Sequence, residues 1–186
     1  MAMTDNELIE LYKNGNGEAF KKLIEKYSSS LYNFTAHMVG KDNAPDIVQE
    51  VFIKIWKNIN RFNSSKSSIK TWIFTIAKNS IIDYLRKKKS INFSDMENKN
   101  DDYSFCESIA DENLLPDQML QKLQDSEFLN DLLNKLSPQY KTILIFHYQE
   151  EMTFDEIGKI LNKPLNTIKS YHRRAILELR NMIAIK

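Results

Sequence analysis

Read at helical spacing, the stretch KPLNTIKSYHRRAILELR at residues 163–180 divides into two faces. Leu165, Ile168, His172, Ala175, Ile176 and Leu179 fall in one apolar sector, and Asn166, Lys169, Ser170, Arg173 and Arg174 lie on the outer side. Asn and Ser side chains bond to base edges, while Lys and Arg bond to phosphate or guanine, so the outer set carries the chemistry for reading duplex DNA. His172 falls with the packing residues. Leu177 points outward beyond the turns that would meet a groove.

A second constellation runs along SIKTWIFTIAKNSIIDYLRKKK, where Trp72, Thr75, Asn79, Asp83 and Arg86 share a stripe. Residues 66–89 hold 7 basic side chains against 1 acidic. Basic charge attracts phosphates, and an aromatic ring can stack on an unpaired base. The alternative is that Trp72 belongs to the core and Arg86 pairs with Asp83. A third set lies on NAPDIVQEVFIKIWKNI: Asp46, Glu50, Ile53, Lys54 and Lys57, with Gln49 and Trp56 at its shoulder. An apolar Ile53 within a charged surface fits a docking face for another protein or an ordinary solvated face, and spacing alone leaves both open.

These sets must be positioned by helices. A short helix is expected near Asp5–Lys13, then a longer one at residues 18–39 with Phe20, Leu23, Ile24, Tyr27, Leu31, Phe34 and Met38 on its buried stripe. The third opens with Asn43 as N-cap and Pro45 in the first turn, and its expected core stripe is Val48, Val51, Phe52, Ile55 and Ile59. The fourth groups Ile73, Phe74, Ala77, Ile81, Tyr84 and Leu85 on one broad face. Farther on, DSEFLNDLLNKL repeats Phe128, Leu129, Leu132, Leu133 and Leu136, and Ser137 with Pro138 restarts a helix carrying Tyr140, Ile143, Leu144 and Tyr148. Thr153 and Glu156 form a capping box, and Asn162, Lys163 and Pro164 break the chain before the last helix. A short helix, a tight break and a basic helix make a helix-turn-helix pattern, which also occurs in bundles that bind no DNA. Gly158 is expected where those two helices pass closely.

The formal charge of +1 hides an uneven distribution. Residues 1–89 carry 15 Lys/Arg against 9 Asp/Glu, residues 90–118 carry 1 against 8, and residues 119–186 carry 10 against 8. The expected organisation is therefore an N-terminal helical domain (1–89), an acidic linker of low intrinsic order (90–118) and a C-terminal helix-turn-helix domain (119–186). Cys106 is the single cysteine, and His37, His147 and His172 lack ligand-like spacing, so neither a disulfide nor a metal site is expected. No phosphate-cradling glycine loop or nucleophile pattern stands out, and no catalytic residue or cofactor is nominated. The N-terminal MAMTDNELIELYKNGNG lacks a basic segment followed by an apolar core, so no secretory leader is expected and the cytoplasm is the expected location.

In the order NAPDIVQEVFIKIWKNINRF, SIKTWIFTIAKNSIIDYLRKKK and LSPQYKTILIFHYQEEMTFDEIGKILNKPLNTIKSYHRRAILELR, the chain resembles bacterial RNA polymerase sigma factors of the extracytoplasmic-function group. That resemblance implies an all-α protein of two small helical domains joined by a flexible acidic linker, without enzymatic activity. It implies that Asp46, Gln49, Glu50, Ile53 and Trp56 dock on the clamp of core RNA polymerase. It implies that Asn63, Ser64, Lys66, Trp72, Thr75, Asn79, Arg86 and Lys87 recognise and open the minus-ten promoter element. Asn166, Thr167, Lys169, Ser170, Arg173 and Arg174 would read the minus-thirty-five element while their domain docks on the polymerase flap. An anti-sigma factor is the implied inhibitory partner, and no stable homo-oligomer is expected. Members usually carry glycine at the position of Asn166, an apolar residue at Lys163, Leu, Ile or Phe at His172 and an acidic residue at Pro45. The competing reading is a stand-alone regulator using the helix-turn-helix alone, with the N-terminal lobe as sensor or dimerisation module. An all-helical enzyme lacks any paired acid-base set on one helix face.

Overall fold

The computed structural model describes residues 3–87 and 127–184, and among them the only regular elements are helical. The expected linker at 90–118, with Cys106, lies outside the described residues, as does the Phe128 side chain. The chain divides into two compact units, Met1–Met96 and Glu97–Lys186.

In the first unit, α1 (Asp5–Lys13) leads to α2 (Gly17–Val39), α3 (Ala44–Asn58), a 3-10 turn at Ile59–Arg61 and α4 (Ile69–Lys87). Helix α1 opens with a capping box, in which the Glu7 N–H reaches the Thr4 hydroxyl at 3.4 Å and the Thr4 N–H reaches the Glu7 carboxylate at 2.7 Å. Helices α2, α3 and α4 pack on one another, and α1 lies along α2. Leu23, Tyr27, Leu31 and Phe34 of α2 meet Ile73, Phe74, Ala77 and Ile81 of α4 in a buried core, with the Phe34 and Phe74 rings 5.9 Å apart. Each buried Leu, Ile or Phe among them contributes about 1.5–3 kcal/mol.

Of the expected α3 stripe, Val51, Ile55 and Ile59 are buried, and the departure is at Val48 and Phe52. Ala44, Ile47, Val51 and Ile55 are buried, whereas Val48 and Phe52 are half-buried. An i, i+4 row through 47, 51 and 55 points into the seam with α2 and α4, and the residues one step on are turned about 100° toward its margin. Phe20, Ile24 and Met38 of α2 are likewise half-buried. Asn43 holds the N-cap position without capping: its backbone is helical (φ −96°, ψ −14°), and its amide nitrogen donates to the Val39 carbonyl at 3.0 Å. It thus satisfies an orphan acceptor at the end of α2 instead of an orphan donor of α3.

The second unit comprises α5 (Glu127–Lys135), α6 (Pro138–Leu144), a π turn at Ile145–Gln149, α7 (Phe154–Leu161) and α8 (Leu165–Ala184). Leu129, Leu132, Leu133 and Leu136 pack with Leu144, Ala175, Ile176 and Leu179. Ser137 caps α6 through the Tyr140 N–H at 3.3 Å. The wide π turn replaces the continuous helix expected after Leu144. It buries Ile145 and Phe146 while leaving His147 and Tyr148 half-buried.

The Thr153–Glu156 capping box is formed, with bonds of 3.3 and 3.0 Å. Asn162 ends α7 in the left-handed region (φ 55°, ψ 45°), and the Lys163 N–H donates to the Gly158 carbonyl at 3.0 Å. A Cβ on Gly158 would stand 2.9 Å from the Lys163 carbonyl oxygen and 3.7 Å from Ile168 Cγ1. The turn between the two helices therefore requires glycine there. Glu151, by contrast, adopts φ 52° without being glycine.

Opposite shifts are expected in urea unfolding of the full chain. Gly158→Ala should destabilise the second unit by about 1–3 kcal/mol through overpacking, and Glu151→Gly should stabilise it by about 1 kcal/mol through relief of a left-handed residue.

Candidate nucleic-acid and protein interfaces

The outer side of α8 is built by burying its inner one. Ile168, His172, Ala175, Ile176 and Leu179 are buried, so Asn166, Lys169, Ser170 and Arg173 are exposed, and Thr167 and Arg174 are half-buried beside them. The Ser170 hydroxyl donates to the Asn166 carbonyl at 2.9 Å and keeps acceptor capacity toward solvent. Leu177 is exposed as expected. Leu165, expected in the packing sector, is 42% exposed and borders a shallow pocket with Asp155, Gly158 and Lys159 of α7.

His172 is held among aromatic groups. Its Nε2 lies 3.1 Å from the Tyr148 hydroxyl, and its ring is 5.0 Å from Phe154 and 5.2 Å from His147. His147 stacks on Phe154 at 4.4 Å, with Nδ1 3.0 Å from the Met152 carbonyl. These contacts tie α8 to α7 and to the preceding π turn, so His172 positions the outer face and does not belong to it. Lys141 lies beneath the same unit, where burial pushes its amine down to about 8 while Nζ donates to Asn134 Oδ1 at 2.7 Å.

On the first unit, Asp46, Gln49 and Glu50 are exposed, as are Ile53 (44%) and Trp56 (54%). Ile53 and Trp56 edge a groove of about 410 Å³ whose walls are Phe20, Ile24, Val48 and Phe52. Sequence phase placed those wall residues in the core and so missed the groove. Glu50 pairs with Lys54 at 2.8 Å, and Lys54 Nζ also reaches Ser80 Oγ on α4 at 2.9 Å.

The loop at 63–68 and helix α4 make the remaining face. Asn63, Ser64, Lys66, Asn79, Arg86 and Lys87 are exposed, and Trp72 and Thr75 are half-buried. The Trp72 ring packs 5.4 Å from Phe62 and the residue is half-buried, so it is neither wholly core nor wholly surface. The Thr75 hydroxyl donates to the Thr71 carbonyl at 2.7 Å. Arg86 does pair with Asp83, at 2.8 Å, in an exposed contact of a type that contributes about 0–1 kcal/mol. Lys78, half-buried, has its amine pushed below the usual lysine range by burial. Among the described residues no three His, Cys, Asp or Glu side chains gather as a metal site, and no helix is long and apolar enough to cross a membrane.

An all-α chain whose one unit presents a basic helix-turn-helix, and whose other combines an apolar groove with a basic, aromatic-bearing helix, has the architecture of a nucleic-acid-binding transcription protein. Sigma-70 region 2 matches residues 23–91 and Sigma-70, region 4 matches residues 129–179. The chain is 31% identical over 185 residues to the ECF RNA polymerase sigma factor SigW of Bacillus subtilis (strain 168), covering 98% of each. It is 26% identical over 183 residues to the ECF RNA polymerase sigma-E factor of Haemophilus influenzae, covering 97% of this chain and 96% of that one. Its fold matches CnrH, solved in complex with the cytosolic domain of CnrY, with TM-score 0.68, 16% identity and 98% of both chains covered. It also matches the sigma factor RpoE from Bartonella quintana, solved with the anti-sigma factor NepR, with TM-score 0.65, 22% identity and 90% and 98% covered. The chain belongs to the extracytoplasmic-function group of RNA polymerase sigma factors. It directs promoter-specific transcription initiation, and its partners are core RNA polymerase and promoter DNA.

Lys141 gives a pH signature. Its proton is bound more tightly in the unfolded chain, near the ordinary 10.5, than in the folded one, near 8, so the second unit gains stability as pH rises between these values. Urea unfolding at pH 7.5 and 9.5 should show wild type gaining relative to Lys141→Met.

Proposed function

We propose that the three faces divide the work of initiation among themselves. The groove edged by Ile53 and Trp56, flanked by Asp46, Gln49 and Glu50, docks on the polymerase clamp. The loop at 63–68 and α4 recognise and open the minus-ten element: a flipped base is held against Trp72 with Asn63, Ser64, Thr75 and Asn79 around it, and Lys66, Arg86 and Lys87 hold phosphates. Helix α8 enters the major groove at the minus-thirty-five element with Asn166, Thr167, Lys169, Ser170, Arg173 and Arg174, and its unit docks on the flap. The observation that carries this reading is the division of α8, where Asn166, Lys169, Ser170 and Arg173 face solvent while Ile168, His172 and Ala175 are buried.

The factor works in the cytoplasm as a monomer and has no chemistry of its own, since strand opening needs binding energy and not bond cleavage. An anti-sigma factor covers the groove and so competes with polymerase. The apolar walls at Phe20, Ile24, Val48 and Phe52 support such an occupant.

Transcription in vitro with core RNA polymerase tests the whole assignment, and tight promoter binding without core, together with no effect of core, would point to a stand-alone regulator. Ile53→Glu should weaken core binding by about 2 kcal/mol, roughly thirtyfold in Kd, with little change in melting temperature. Arg173→Ala should cost about 1–3 kcal/mol of discrimination at one position of the minus-thirty-five element, measured by competition among promoter variants.

A further inference from the structure

The loop at 63–68 is held internally by short-range bonds. Asn63 Oδ1 accepts from the Ser65 N–H at 2.9 Å, and the Asn63 carbonyl accepts from the Lys66 N–H at 3.1 Å. These bonds set the loop's own turn, and at its far end the Ser68 carbonyl accepts from the Trp72 N–H and the Ser68 hydroxyl accepts from the Thr71 N–H, both at 3.1 Å, which joins that end to α4. At the near end, two contacts hold the entry. The Phe62 ring lies 5.4 Å from Trp72, and Lys13 Nζ donates to the Phe62 carbonyl at 3.2 Å across 49 residues of sequence.

Phe62 is where the chain leaves the 3-10 turn. Its N–H is returned to the Ile59 carbonyl at 3.0 Å, and its backbone then becomes extended (φ −63°, ψ 134°). The Phe62 carbonyl lies past the end of the turn, where the helix supplies no donor. Lys13 supplies one, as the last residue of a helix firmly fastened to α2. Asp5 accepts from the Tyr27 hydroxyl and from Lys26 Nζ, both at 2.6 Å, Tyr12 packs 5.1 Å from Phe20, and Leu8 and Ile9 are buried.

We propose that Lys13 is a positioning residue for the minus-ten reading loop, fixing the loop's entry beside Trp72 through the Phe62 carbonyl. This rests on the assignment of residues 63–68 to the minus-ten element. A loop whose entry is already ordered loses less freedom when it closes on a flipped base. The anchor therefore acts on strand opening and base choice, not on affinity for polymerase.

The test uses full-length wild type, Lys13→Met and Lys13→Arg, each reconstituted with core RNA polymerase on a promoter recovered by transcribing a randomised template with wild type. Lys13→Met should slow open-complex formation about fivefold, the equivalent of one hydrogen bond, and flatten the preference among minus-ten bases. Core affinity and salt dependence should stay at wild-type values, and Lys13→Arg should retain most of the rate and preference. Wild-type behaviour of Lys13→Met overturns the proposal, as does a loss that follows melting temperature or core affinity with base preference intact. A uniform loss across sequences, with a salt slope shallower by about one charge, would make Lys13 a phosphate contact and also overturn it. An Asn63→Ala/Lys66→Ala variant separates the two ideas. If it opens promoters normally, the loop assignment falls; if it is defective while Lys13→Met is not, only the anchor falls.

Discussion

Ile47, Val51 and Ile55 lock the phase of α3 between α2 and α4, and that phase decides what the first unit can present. With three buried branched side chains on one row, the residues about 100° further round have no place in the same seam. Val48 and Phe52 are left at its margin, and Ile53 and Trp56 in solvent. Rotating the helix to cover Phe52 would withdraw Ile47 or Ile55 from the core and give up about 1.5–3 kcal/mol for each. The apolar groove is therefore a by-product of the best packing.

The second unit applies the same logic with a turn as its fixed point. Gly158 lets the Lys163 carbonyl approach α7, Asn162 takes the left-handed conformation, and the Thr153–Glu156 box fixes where α7 begins. With both ends of α7 determined, the angle of α8 follows, and Ile168 and His172 set its rotation. An error of one residue in that rotation would turn Lys169 inward and His172 toward solvent. The Tyr148 hydroxyl on His172 helps hold the rotation with a directional bond that an aliphatic side chain at 172 would not make.

How much could be read from the sequence depended on the range of the interaction involved. Both capping signals in the second unit, Ser137 and Thr153 with Glu156, were legible because the bond spans three residues and its chemistry is written in the residue types. The division of α8 was legible because one periodicity governs twenty residues. The core stripe of α3 was legible at Val51, Ile55 and Ile59 but not at Ile47, Val48 and Phe52, because all three are apolar and only the positions of α2 and α4 decide which of them is buried. Asn43 was misread for a related reason: residue type nominates a cap, but its backbone at ψ −14° turns the amide back to Val39. Lys13 and Lys54 left no signal at all, since bonds across 49 and 26 residues leave no local spacing to recognise.

The groups assigned to DNA in the proposed division are held with unequal firmness, and this bears on how such a chain would use polymerase to choose a promoter. On α8 the outer side chains rise from a helix whose reverse side is packed from Ile168 to Leu179, so little backbone ordering would remain if they met base edges. In the proposed arrangement Arg86 on α4 would exchange Asp83 for a phosphate, and the exposed pair contributes only about 0–1 kcal/mol, so the exchange would be easy. Its net gain is small too, because Asp83 stays nearby and repels the same phosphate. On that proposal the minus-ten face would bind weakly unless a captured base added its stacking energy, which requires opened DNA. Holding both units on one polymerase raises the effective concentration of the weaker face once the stronger has engaged. On that proposal, sequence choice would come from the conjunction of the two contacts.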